Sequence, residues 1–133
     1  MRMTREADYA LRIVAMLSKR GTQIDAKQIA EKNNIPYRFT LKILRKLVQY
    51  GVMKSTRGVN GGYSLKKEPS QISMKEVIEI FDGPIAVNHC IETPEICDHT
   101  MLCPIRQKLL EAQQKFADEL SLVNFADIAY EMN

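Results

Sequence analysis

Apolar residues recur at helical spacing in the first twenty positions of the chain. Those on one face are Ala7, Ala10, Leu11, Val14 and Leu17. Thr4 stands before them as a helix cap, and Gly21 provides a stop. This pattern predicts a first helix from Thr4 to about Lys19, with one buried stripe.

Two further helices are predicted before residue 52. Asp25 can cap the second, with Gln28 as its capping-box partner. A polar turn at residues 32–35 and Pro36 lead into the third, which ends at Gly51. The apolar face of the third helix comprises Leu41, Leu44, Leu47 and Val48. Two short helices joined by a tight turn, the second rich in basic residues, are typical of a helix-turn-helix.

A β-hairpin is predicted directly after these helices. Alternating residues at 52–57 are followed by a glycine-rich cluster at 58–62 and renewed alternation at 63–65. A hairpin in this position, next to a recognition helix, is a wing.

The second half of the chain begins with a capping box at Ser73 and Glu76, which predicts a helix ending at Gly83. Residues 84–103 have little apolar periodicity and are expected to form a loop. From Pro104 a long helix is predicted, followed by a short helical turn from Asn124. The apolar positions of the long helix are Ile105, Leu109, Ala112, Phe116 and Leu120. So narrow a stripe favours a seam between two helices of a dimer over packing within one chain.

The expected fold is therefore mainly α with a small β-hairpin wing. Residues 1–83 would form a winged helix-turn-helix domain, and residues 84–103 a cysteine-rich loop. Residues 104–133 would form a dimerisation helix and a C-terminal tail.

Charge is distributed unevenly along the chain. Residues 1–68 contain 15 Lys and Arg against 5 Asp and Glu, a net charge of +10, whereas residues 69–133 contain 4 against 11, a net charge of −7. A basic first half favours a polyanionic partner, because Lys and Arg that neutralise phosphates release condensed counterions. No signal peptide or apolar membrane span is evident in the sequence, so a cytoplasmic protein is expected.

Double-stranded DNA is the partner that the helix-turn-helix and wing predict. In the third helix, Arg38 could pair with a guanine edge and Thr40 could contact a base, while Lys42 and Lys46 are suited to phosphates. Arg57 in the wing could enter a narrow minor groove. The full set of candidate DNA-binding residues is Tyr37, Arg38, Thr40, Lys42, Arg45, Lys46, Ser55, Arg57, Gly58 and Gly61.

The three cysteines, Cys90, Cys97 and Cys103, all lie within the predicted loop. An odd number of cysteines without a signal peptide argues against a disulfide framework. Three thiolates on one loop can bind one face of an iron–sulfur cluster. The fourth ligand would then be His89, His99 or the more distant Asp8. Structural thiols, or zinc bound by the cysteines and one of the histidines, are the alternatives.

Three stretches resemble one known family. They are residues 8–12 (DYALR), the wing at residues 55–63 (STRGVNGGY) and the three-cysteine loop. Over about residues 1–125 the chain is similar to the Rrf2-type winged-helix regulators, which include iron–sulfur sensors of the IscR, NsrR and RirA kinds. The resemblance implies a homodimer with crossed long helices on a palindromic operator, with a cluster near the dimer interface. Some members lack the cysteines and respond to partner proteins.

The resemblance also narrows the choice of fourth ligand. IscR-like members have a histidine three residues after the last cysteine, where this chain has Arg106. NsrR-like members use an acidic residue of the first helix with an arginine one turn later, a pattern that Asp8 and Arg12 match. The resemblance therefore favours a [4Fe–4S] over a [2Fe–2S] cluster, with Asp8 supplied by the other subunit and Arg12 beside it. The alternative for Asp8 and Arg12 is a surface ion pair.

The expected function is that of a dimeric transcriptional regulator, a repressor, which senses iron, nitric oxide or redox state through its cluster. The alternative is a cluster-free regulator controlled by zinc, thiol oxidation or a partner protein. No nucleophile elbow, phosphate-binding loop or His/Glu metal motif occurs in the sequence, so an enzyme is not expected.

Overall fold

A computed structural model describes residues 2–97 and 102–132 of the chain. The helices and strands, in chain order, are α1 (Arg5–Arg20), α2 (Ala26–Asn33), α3 (Tyr37–Gln49), β1 (Met53–Thr56), β2 (Gly62–Leu65), α4 (Met74–Asp82), α5 (His89–Glu92), α6 (Pro104–Leu122) and α7 (Phe125–Glu131). The expected fold, mainly α with a two-stranded hairpin, is confirmed.

Helix α1 lies at the centre of the fold. The Thr4 hydroxyl accepts a hydrogen bond from the Ala7 amide and caps the helix, and Gly21 ends it in the left-handed conformation. The fully buried side chains of α1 are Ala7, Ala10, Ile13, Val14 and Leu17. Leu11, which was expected in this stripe, is half-buried, and Ile13 takes its place in the core. The stripe faces α3, α4, α7 and β2.

Helices α2 and α3 form the predicted helix-turn-helix. The Asp25 carboxylate accepts from the Gln28 amide and caps α2. The turn is shorter than expected, because α2 continues to Asn33 and the chain reverses at Asn34, which has a φ of 53°. Asparagine tolerates this left-handed conformation better than most residues do. Pro36 then precedes the first residue of α3.

The wing is an antiparallel hairpin in which Met53 pairs with Leu65 and Thr56 pairs with Gly62. Ile24, just before α2, joins its edge through two backbone hydrogen bonds with Tyr63, of 3.1 and 2.8 Å. Gly62 lies at this junction with a φ of 153°, and a Cβ atom there would collide with the Ile24 carbonyl group. The wing is therefore fixed to the helical core.

Two short elements lie in the described part of the cysteine-rich segment, residues 84–97 and 102–103. The one-turn helix α5 contains Cys90, and a 3₁₀ turn at Pro94–Ile96 precedes Cys97. The Asn88 side chain accepts from the His89 amide and caps α5, local order that the expected loop did not include. The segment is also attached to α6, since the Val87 amide donates to the Gln113 side chain at 2.9 Å.

Helix α6 has the predicted start and length, and its burial fits a helix that is largely uncovered within one subunit. Ala117 is its only fully buried residue among those described. Ile105 and Phe116, both in the predicted seam, are exposed.

The helical turn predicted from Asn124 is present and is longer than expected, since it forms the seven-residue helix α7. The Asn124 side chain caps α7, and the Phe125 amide donates to the Ile72 carbonyl at 3.0 Å. Phe125 is 0% exposed and belongs to the same core as the α1 stripe. The C-terminal helix thus returns to the winged-helix core.

No helix within residues 2–97 and 102–132 combines the length and the apolar character needed to cross a membrane.

The burial of Phe125 gives a test of this packing. Phe125→Ala should lower the free energy of unfolding by about 3–5 kcal/mol, because a cavity remains where the ring contacted the core. Urea denaturation followed by circular dichroism at fixed protein concentration measures the effect. Tyr130→Ala, in the same helix but at an 89% exposed position, should change stability by less than about 0.5 kcal/mol. Equal losses for the two variants would contradict this packing.

Candidate functional site

Helix α3 has one buried and one exposed face. Thr40, Ile43, Leu44 and Leu47 are its buried residues. The opposite face, at spacings of four, three and four residues, consists of Arg38, Lys42, Arg45 and Gln49, all exposed. Tyr37 is also exposed at the start of the helix. Three cations in one row on a recognition helix form a surface suited to the phosphates and base edges of DNA.

Thr40 cannot contact DNA in this structure, so its assignment as a base-contacting residue was wrong. Its side chain is 0% exposed, and its hydroxyl donates to the Pro36 carbonyl at 3.2 Å. Position 40 shares the face of Ile43, Leu44 and Leu47, and the bond to Pro36 satisfies the hydroxyl inside the core.

The two lysines of α3 both have partners within the chain. The Lys42 ammonium is 2.7 Å from a carboxylate oxygen of Glu6 in α1. Lys46 is half-buried, and its ammonium lies 5.2 Å from the centre of the Phe81 ring in α4. In contrast, neither Arg38 nor Arg45 forms an ion pair in the part of the chain that the structure describes.

The wing exposes Ser55, Arg57 and Gly58, whereas Gly61 is half-buried. The loop at residues 57–61 is closed by a hydrogen bond from the Gly61 amide to the Gly58 carbonyl at 3.0 Å. It is held from outside by the Gln23 side chain, which donates to the Asn60 carbonyl. Arg57 is thus an exposed cation on a supported loop.

Each of the three cysteines is a free thiol, half-buried in the subunit. Cys90 lies in α5, where the Asn88 side-chain amide donates to its sulfur at 3.5 Å. Cys97 follows the 3₁₀ turn, and Cys103 is the residue before α6. Arg106, one turn into α6, donates to the Cys90 carbonyl at 3.5 Å, so the guanidinium connects the cysteine segment to the long helix.

The other candidate ligands are Asp8, His89 and His99. Asp8 forms an ion pair of 2.8 Å with Arg12, with both side chains partly exposed. This is the surface pair considered as the alternative for these residues. His89 is exposed in α5, and His99 lies outside the described residues.

Iron–sulfur chemistry fits the kind of donor that this segment supplies. Soft thiolates that are free of disulfides are the usual ligands of such clusters. Over residues 2–97 and 102–132 of one subunit, no three His, Cys, Asp or Glu side chains lie close enough to share a single metal ion. In a cluster each thiolate binds its own iron, so its ligands need not share one ion.

Two residues at this site were missed by sequence reasoning. Gln49 completes the exposed row of α3, and its spacing of four from Arg45 could have identified it. Gln23 supports the wing from a position 37 residues away, and no sequence pattern indicates that contact.

Similarity to known proteins identifies the family to which the chain belongs. The family model for Rrf2, an iron-dependent transcriptional regulator, matches residues 3–131. The chain belongs to the Rrf2 family. Regulators of this family bind DNA, and they are not enzymes.

Individual relatives agree with this assignment. The chain is 29% identical over 140 residues to the transcriptional regulator NsrR of Bacillus licheniformis, covering 96% of this chain and 92% of that one. The solved structure of CymR, the global cysteine regulator of B. subtilis, superimposes with a TM-score of 0.83 at 24% identity, covering 100% and 99% of the two chains. IscR of T. potens gives a TM-score of 0.72 at 18% identity, covering 100% and 93%. At these identities the two structures show the fold alone.

The tight loop of the wing provides a test of its role. In Gly61→Ala the new Cβ would lie 2.9 Å from the Gly58 carbonyl oxygen and closer still to that of Thr56, so the loop must open. DNA affinity should fall at least about fivefold while the helical circular dichroism stays unchanged. Fluorescence anisotropy with a labelled duplex measures the affinity.

Val59→Ala, at a 104% exposed position in the same loop, provides the control and should keep the loop geometry. Unchanged affinity in Gly61→Ala would show that the shape of the loop does not matter for DNA binding.

Proposed function

We propose that the protein is a homodimeric, cytoplasmic transcriptional repressor that senses its signal through the cysteine segment. The observation that carries DNA binding is the exposed row of Arg38, Lys42 and Arg45 on α3, followed in the chain by a wing with Arg57 exposed. A row of cations on a recognition helix and an arginine on a wing suit the two grooves of one duplex.

In this proposal α3 enters the major groove of a palindromic operator. Arg38, near the N-terminus of α3, reads a guanine edge, while Lys42 and Arg45 contact phosphates. Arg57 inserts into the adjacent minor groove, where the glycines of the wing loop allow close backbone approach. A two-fold dimer would read two half-sites that are related by the same symmetry.

We assign the dimer contact to α6. Ile105 and Phe116 are large apolar side chains that α6 leaves exposed, and Ala112 lies between them on the same stripe. Covering this stripe with a second copy would remove it from water. The proposal thus divides the chain into a DNA-binding domain at residues 1–83, a sensor segment at 84–103 and a dimerisation region at 104–133. Helix α7, in the last of these, packs back on the DNA-binding domain.

The sensor in this proposal is a [4Fe–4S] cluster, held by Cys90, Cys97 and Cys103 with Asp8 of the partner subunit as the fourth ligand. Three free, half-buried thiols on one segment support it, as does the similarity to NsrR. Arg12 would compensate the charge of Asp8. When bound, the cluster supplies iron whose reaction with oxidants or nitric oxide, or whose loss, can act as a signal.

A cluster-free regulator is the second candidate, and one observation favours it. The described residues of one subunit bring no three metal-ligating side chains together, although all three cysteines are free thiols. Such a segment could respond by thiol oxidation or by contact with a partner protein. Zinc, the third possibility, would require these side chains to come together around the ion. Metal analysis separates the two candidates.

Arg57→Ala tests the assignment of the wing. Loss of a minor-groove arginine should weaken DNA binding at least about tenfold at about 100 mM salt, while the dimer remains intact. Gel shifts with a duplex selected in vitro from a random library, together with size-exclusion chromatography, measure the two properties. Lys108→Ala removes the same charge from an 80% exposed side chain of α6 and should bind almost normally. Similar losses for both variants would point to net charge rather than to the wing.

Cys97→Ala tests the cluster. Anaerobically purified wild-type protein should contain iron and acid-labile sulfide in equal amounts and absorb broadly in the visible range, whereas the variant should lose both but keep its helical content. Iron and sulfide assays with circular dichroism measure this. A wild-type protein that stays colourless after anaerobic reconstitution would support the cluster-free regulator. A normal visible spectrum in Cys97→Ala would refute the ligand assignment.

A further inference from the structure

The first turn of α1 is attached to two other helices. The Thr4 hydroxyl and backbone amide both donate to the Asp82 carboxylate at the end of α4, the amide at 3.1 Å. Two residues further on, Glu6 forms its ion pair with Lys42 of α3. The backbone beside Glu6 is thus bonded to α4, while the Glu6 carboxylate contacts α3.

Lys42 occupies the centre of the row that would face DNA. It lies four residues after Arg38 and three before Arg45, and its side chain is 66% exposed. Of these three cations, Lys42 alone forms an ion pair in the described ranges 2–97 and 102–132. The exposed face of α3 therefore includes one cation, Lys42, whose charge is balanced by the carboxylate of Glu6.

A carboxylate and a phosphate oxygen compete for the same ammonium group. The Glu6 side chain is 29% exposed, so water and salt screen this pair less than an open surface pair. A lysine held by Glu6 neutralises a DNA phosphate less completely, so fewer of the counterions condensed on the DNA are released when the protein binds.

We infer that Glu6 competes with DNA phosphates for Lys42 and so holds DNA affinity below what the row of cations would otherwise provide. This inference rests on the proposed DNA-binding function of α3. It makes Glu6 a positioning residue that acts through Lys42, without contact to the bases. The pair allows the protein to leave DNA more readily than a fully cationic helix would.

The test measures DNA affinity as a function of salt concentration. The probe is a fluorescein-labelled duplex of mixed sequence and about 30 base pairs, which is sufficient because the effect is electrostatic. Glu6→Gln should bind about two to five times more tightly per subunit. The plot of log binding constant against log salt concentration should become steeper, by up to about 0.9 per subunit, because Lys42 then neutralises its phosphate more completely.

Four further variants make the result specific to this pair. Lys42→Ala should bind more weakly than wild type, and adding Glu6→Gln to it should change neither affinity nor slope. Glu6→Asp should bind like wild type, because the carboxylate is retained. Glu131→Gln removes the same charge from an exposed position in α7 and should leave both quantities unchanged.

The possible outcomes separate this inference from the proposed function. If no variant and no wild-type protein binds the duplex, DNA binding itself is wrong. If wild type binds but Glu6→Gln binds equally or more weakly, or gains as much in the Lys42→Ala background, the competition is refuted. Thermal unfolding by circular dichroism shows whether each variant is folded, and the slope is unaffected by the fraction of active protein.

Discussion

The close packing of α1 against its neighbours is the constraint on which the rest of the molecule depends. Ala7 and Ala10, both without exposed surface, allow other elements to approach the helix closely, while Ile13, Val14 and Leu17 fill the space beyond them. Helix α3, helix α4, helix α7 and the second strand of the wing all meet this one surface. The recognition helix and the wing are consequently held in one orientation by a shared core.

Hydrogen bonds and ion pairs between helices lie at the edges of this apolar core. The N-terminus of α1 meets the end of α4 through Thr4 and Asp82, and the side of α3 through Glu6 and Lys42. Since α4 leads into the cysteine segment, the N-terminus of α1 contacts both the middle of the recognition helix and the helix that precedes that segment.

Features set by nearby residues could be predicted from the sequence. Thr4, Asp25 and Ser73 each cap a helix as their side chains and spacings indicate, and the glycines of the wing mark its turn. Features that depend on contacts between residues far apart in the chain could not be predicted. The partners of Lys42 and Lys46 lie about 35 positions away, so both lysines were expected to be free for phosphates. Thr40 was misplaced because its hydroxyl suggested a surface position, although its spacing from Ile43 and Leu47 put it in the core.

The cysteine segment shows the same limit in another form. The sequence identifies the donor type, three thiols, but the distance between them depends on how α5, the 3₁₀ turn and α6 are arranged. The resemblance to regulators with clusters supplied a set of ligands, whereas in the described residues of one subunit no three such donors lie close enough to share a single metal ion. The sequence therefore identifies the family, whereas the arrangement of the three cysteines depends on the fold.

The return of Phe125 to the core has a consequence for the synthesis of the protein. The aromatic ring belongs to the same apolar cluster as α1, so the two are more than a hundred positions apart in the chain. During synthesis on a ribosome, the winged helix-turn-helix domain cannot complete its core when residues 1–83 alone have emerged. Folding of that core must wait until Phe125 has emerged as well. A chain stalled within α6 would expose the apolar groove that Phe125 normally fills, and it would be a substrate for chaperones or proteases rather than a partly active regulator.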